Sequence, residues 1–121
     1  MTGLEVGKAI YKILEGIKSV YPIVADKGAE FPYIVYRRAS LSHANTKDRF
    51  NYQELATVEV IVADTTYTGS IDLAKQVMYR LEHTRGLYNE ISINEIKLID
   101  AEEDFIENTF IQKLTFTIEI L

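Results

Sequence analysis

Residues 56–82 read ATVEVIVADTTYTGSIDLAKQVMYRLE, and a change of period inside this stretch decides the fold. Up to Ala63 the pattern has a period of two. Ala56, Val58, Val60 and Val62 fall on one face of an extended chain and Thr57, Glu59 and Ile61 on the other, which predicts a strand over Leu55–Ala63. Asp64 to Gly69 reads as a loop, and beyond it the spacing becomes three and four. Ile71, Ala74, Val77, Met78 and Leu81 then lie on one stripe of a helix. Ser70 is placed as the N-cap, with Asp72 in the first turn where a negative charge suits the helix dipole, and Gly86 as the stop after Arg85.

Upstream, Phe31 to Ala39 (FPYIVYRRA) is rich in β-branched and aromatic residues and opens with a proline, so it reads as a strand. Between the two strands Ser40 to Gln53 (SLSHANTKDRFNYQ) is almost devoid of aliphatic residues. The strands therefore form a hairpin whose long polar tip has little apolar surface to pack on its own domain, and an element of that kind needs a partner. The chain begins with an amphipathic helix: Thr2 and Glu5 fit a capping box, and Val6, Ile10, Ile13, Leu14 and Ile17 make the stripe. Tyr21-Pro22 is expected to end it, followed by a short extended piece at Ile23–Ala25 and a turn at Asp26-Lys27-Gly28. Downstream come strands at Ile91–Asp100 and Phe110–Leu121, separated by an acidic bend at Ala101–Asn108. The order α-β-β-α-β-β predicts one α+β domain over residues 1–121, a two-layer sandwich with an antiparallel or mixed sheet and both helices packed on one face.

Composition narrows the function. A chain of 121 residues with 47% hydrophobic residues buries roughly two-thirds of its unfolded surface and needs no staple. It contains no cysteine, which excludes disulfide scaffolds, thiol redox chemistry, cysteine nucleophiles and cysteine zinc sites. The first twenty residues carry Glu5, Lys8, Lys12, Glu15 and Lys18, so neither a signal peptide nor a membrane span is expected and the chain reads as intracellular. The net charge of −5 is unevenly spread. Residues 90–108 hold seven acids against Lys97 alone, leaving the remainder near neutral, so tight or sequence-specific DNA binding is disfavoured.

One enzymatic pattern is present. Glu95-Ile96-Lys97 on a strand, after an earlier acid such as Asp64, has the form of a metal-dependent nuclease in which two carboxylates hold Mg²⁺ and the lysine polarises water. A solvated ion pair is the simpler account and explains Glu95 and Lys97 fully, since alternation puts both on the exposed face. The acids at 100–107 lack calcium-loop spacing, and His43 and His83 have no third ligand near them. Neither a G-x-S-x-G turn nor a phosphate loop occurs, and no cofactor is expected. Tyr33, Tyr36, Arg37 and Arg38 interleave aromatics with bases, but neighbours on a strand face opposite ways, so a core tyrosine beside a solvated arginine is expected.

The ordered combination of an N-terminal amphipathic helix, FPYIVYRRAS, a polar hairpin tip, ATVEVIVADTTYTGSIDLAKQVMYRLE and the closing EEDFIENTFIQKLTFTIEI resembles the tail-completion, or tail-terminator, proteins of long-tailed bacteriophages and prophages. The resemblance runs from about Leu4 onward; Val60 to Tyr67 with the helix after it, and Asp104 to Phe116, match best. It implies a structural protein that forms a ring, commonly of six copies, joining the tail tube to the head connector with DNA passing through the lumen. It also implies a host-cytoplasmic assembly step and a place in the virion tail. On this reading Asp100, Glu102, Glu103, Asp104 and Glu107 are expected to line the lumen or its rim, because negative walls do not hold phosphates. Lys47, Asp48, Arg49 and Phe50, in the tip, are the expected contact with a neighbouring copy or the tube, with Phe50 as the aromatic anchor. The isolated chain is expected as a monomer that joins a ring at high concentration or beside tail protein. A small adaptor domain is the third class weighed.

Overall fold

The computed structural model describes residues 3–43 and 54–121. A 3₁₀ turn at Gly3–Glu5 leads into α1 (Val6–Leu14), β1 (Val20–Pro22), β2 (Tyr33–His43), β3 (Glu54–Asp64), α2 (Tyr67–Glu82), β4 (Gly86–Tyr88), β5 (Ile91–Ile106) and β6 (Thr109–Ile120). The strands make one mixed sheet in the order β1-β2-β3-β6-β5-β4. The α+β expectation holds. Two short edge strands, β1 and β4, are added to the expected four, and β1 runs parallel to β2.

The alternation in β3 is what seats the sheet on the helices. Ala56, Val58, Val60 and Val62 are buried, and across the ladder they meet Ile34 and Tyr36 of β2 and Leu114, Phe116 and Ile118 of β6. Val6, Ile10 and Leu14 of α1 and Leu73, Val77 and Leu81 of α2 cover that face. On β5 the register shifts at Asn94 and again at Ile99, so that Ile93, Ile96 and Leu98 all point to the helices although their spacing is irregular.

Several boundaries differ from expectation. The first helix ends at Leu14, before Tyr21-Pro22, and the chain turns through Gly16 so that Val20–Pro22 can add to the sheet edge. Pro22 is tolerated there because an edge strand needs fewer donors. The Ile23–Ala25 piece is a turn: Ile23 has φ 68° and the Val24 amide donates to the Pro22 carbonyl at 2.7 Å. Thr2 of the expected capping box lies outside the described residues; the Glu5 carboxylate accepts from Lys8 Nζ. Helix α2 starts earlier than expected. Thr66 is its N-cap, its hydroxyl accepting from the Gly69 amide at 3.1 Å, while Ser70 is buried inside the first turn and donates to the Tyr67 carbonyl at 2.7 Å. Gly69 fits because a Cβ there would run into the Asp64 carboxylate and the Thr66 hydroxyl. Gly86 does not stop α2, which ends at His83; with φ 106° it starts β4. The acidic stretch is no bend either. It continues β5 to Ile106 and returns through a two-residue turn at Glu107-Asn108, whose φ values of 50° and 60° are those of a type I′ hairpin.

Candidate functional site

With the helices on one face, the other face of the sheet is open, and its character changes along the strands. In the middle lies a charged row: Arg37 Nε donates to Glu59 at 2.6 Å, and Lys113 Nζ bridges Glu59 at 3.3 Å and Glu102 at 3.5 Å. The Arg37 hydrogen bond, with help from Lys113, holds the Glu59 carboxyl below the ordinary range, and Glu59 in turn raises Lys113. Tyr36, beside Arg37, is buried and its phenol is pushed up by that burial, as expected of a core tyrosine next to a solvated base.

Towards the end where β2 begins, the open face becomes apolar. Val35, Ile61, Ala63 and Ile111 form the floor of a cleft of about 490 Å³. One wall is the 23–31 loop with Ile23, Val24 and Phe31, and the other is the β5–β6 turn with Ile106. The wall residues are strongly exposed: Ile23 69%, Val24 70% and Ile106 50%. Asp26 and Glu107 stand at its margin, and a smaller adjoining cleft, sharing Ile61, Ile106 and Ile111, brings in Glu102 and Asp104. Nothing in the sequence reading anticipated this cleft. The one signal was Ile23-Val24, an apolar pair in a loop.

The expected acidic set lies on or beside one strand. Strand β4 pairs with β5 only at Ile91–Ile93, so from Asn94 to Ile106 the outer edge of β5 has no strand neighbour among the described residues. Asp100, Glu102 and Asp104 pair with Thr115, Lys113 and Ile111 and so share the open face; Glu107 is in the turn; all four are exposed. Glu103 has the opposite orientation. Its carboxylate accepts from the Tyr67 hydroxyl at 2.9 Å and from Gln112 at 3.3 Å, and Tyr67 packs edge-on to Phe110, itself 4.7 Å from the ring of Phe105. Lys47, Asp48, Arg49 and Phe50 lie outside the described residues; the strands on either side, β2 and β3, are paired out to His43 and Glu54.

The nuclease constellation is not assembled. Glu95 and Lys97 are an ion pair at 3.5 Å. Asp64 pairs with Phe110 whereas Glu95 pairs with Glu119, which sets the two acids about 30 Å apart along β6. The Asp64 carboxylate accepts from the Thr65 amide instead. His83 caps α2 against the Tyr79 carbonyl, and His43 faces Glu54 at 3.7 Å. Among the described residues no helix is long and apolar enough to cross a membrane.

No protein-family model matches the sequence, and no curated protein does. Solved structures do share the fold. A chain of the virion of a native gene transfer agent particle superposes with a TM-score of 0.71 at 11% identity, covering 98% of both chains. A chain from the sheath/tube terminator of an extracellular contractile injection system, in its extended state, superposes with a TM-score of 0.59 at 10% identity; it covers all of this chain, which spans 57% of that one. The fold is thus shared with a chain of a gene transfer agent virion and a chain of a contractile injection system terminator.

Proposed function

We propose that this chain is a non-enzymatic assembly protein of a phage or prophage tail, which forms a ring at the end of the tail tube and joins it to the head connector. The observation that carries the reading is the fold shared over almost the full length with a virion chain, together with the likeness to a tube terminator. The ring has six copies in the virion and is built in the host cytoplasm. Tube and connector proteins are its partners, and DNA passes through its lumen without sequence-specific contact.

Asp100, Glu102, Asp104 and Glu107 face the lumen or its rim. Their support is exposure along one strand edge, where the acids outnumber the neighbouring base Lys113, itself paired to Glu102 and Glu59, so that the wall is net negative and phosphates slide past it. Glu103 belongs to the same run, with its charge tied to Tyr67. Lys47, Asp48, Arg49 and Phe50 contact a neighbouring copy or the tube.

Removing the gene should leave heads and tails unjoined in electron micrographs; joined, infectious particles without it would overturn the reading. Replacing Asp100, which lines neither cleft, by lysine should leave joined particles that eject DNA slowly. Normal ejection would remove the lumen assignment and leave the joining role standing.

A further inference from the structure

The cleft on the open face and the strand ends at His43 and Glu54, from which residues 44–53 continue, stand at opposite ends of the same two strands, and this separation assigns the cleft an occupant. Tyr33 of β2 borders the cleft; His43, ten residues on, is where the tip begins. Ten residues of strand span about 33 Å. The segment between His43 and Glu54 has ten residues, and a loop anchored at both ends reaches back no more than about 17 Å at the same rise per residue. The tip therefore cannot enter the cleft of its own chain.

We infer that the cleft receives residues 44–53 of a second copy, a contact that rests on the self-assembly reading above and supplies its geometry. The chemistry is complementary. The segment ANTKDRFNYQ offers two aromatic side chains, Phe50 and Tyr52, and two bases, Lys47 and Arg49, against one acid. The cleft offers an aliphatic floor at Val35, Ile61 and Ile111, and carboxylates at its margin from Asp26 and Glu107, with Glu102 and Asp104 in the adjoining cleft. An aromatic anchor seated in an apolar pocket and ringed by opposite charge is how interfaces concentrate both energy and specificity. Because donor and receptor are different patches of the chain, the contact is head-to-tail, and repeating it closes a ring when the rotation fits.

The absence of cysteine makes the test direct. Two single-cysteine chains, Val24→Cys and Phe50→Cys, mixed and oxidised, should give a disulfide-linked dimer containing one of each. Phe50→Cys with Tyr79→Cys, on exposed α2, should not. Val24→Arg, at a solvent-exposed wall position, should weaken self-association by about tenfold or more in sedimentation, the loss expected when an anchored contact is disturbed. Rings that form with neither the cross-link nor the Val24→Arg effect would overturn this contact and leave self-assembly intact. A chain that stays monomeric at every concentration and beside the tail tube would overturn both. In a chain carrying both Val24→Cys and Phe50→Cys, a disulfide closing within that one chain would overturn the trans geometry.

Discussion

The Tyr67 hydroxyl sits against both carboxylate oxygens of Glu103, at 2.9 and 3.2 Å, so the first residue of α2 is tied to the acidic strand β5. The bond and the charge of Glu103 hold the phenol proton on and raise the Tyr67 pKa above its usual 10.0. Glu103→Gln should bring it back down, read as an earlier tyrosine step in an ultraviolet pH titration. An unchanged titration curve would show that the pair does not form in solution.

Glu59 should govern part of the acid limb of stability. Its folded pKa lies below the unfolded value of 4.5 because Arg37 and Lys113 favour the carboxylate. Such a group stabilises the fold above its unfolded pKa, and that stabilisation is lost as pH falls through the depressed folded value. Glu59→Gln should therefore flatten the dependence of denaturant midpoint on pH below 4.5, with a loss of about 1 kcal/mol or less at neutral pH. Equal slopes in the two proteins would contradict the assigned network.

Thr66, and not Ser70, caps α2. Thr66→Ala should cost about 1 kcal/mol in urea unfolding. Gly69→Ala should cost more than an ordinary helical exchange, which would normally be stabilising, since the new methyl meets the Asp64 carboxylate and Thr66 hydroxyl. A neutral or stabilising Gly69→Ala would mean that the first turn is built differently.

Phe116 is fully buried at the centre of β6, opposite Val58 and Leu98. Phe116→Ala should destabilise by about 3–5 kcal/mol in the same assay, the cost of lost burial and the cavity left behind. A loss below 1.5 kcal/mol would place the core elsewhere.

Legibility in the sequence follows the strength of the periodic signal. Strand β3 was readable because every second residue is aliphatic and each of those four is buried. The start of α2 was misplaced because Thr65, Thr66, Thr68 and Ser70 are all capable caps, and only the fold of Thr66 over Gly69 selects among them. The end of β5 was misread for another reason. Carboxylates lower strand propensity, so 101–106 looked like a bend, whereas pairing with β6 and the Glu107-Asn108 turn override that preference. The acidic set was found by composition, and alternation separates Glu103 from Asp100, Glu102 and Asp104, but which of the two sides lies on the open face depends on a register shift at Ile99 that no alternation rule reveals. The apolar cleft was invisible because its floor and walls come from five separate segments.

The unpaired outer edge of β5 carries a further consequence. A long bare row of amides and carbonyls is a template on which identical chains can stack without limit. Two such edges laid together would oppose Asp100, Glu102, Glu103 and Asp104 with their own duplicates, a repulsion that disfavours edge-to-edge stacking of identical chains.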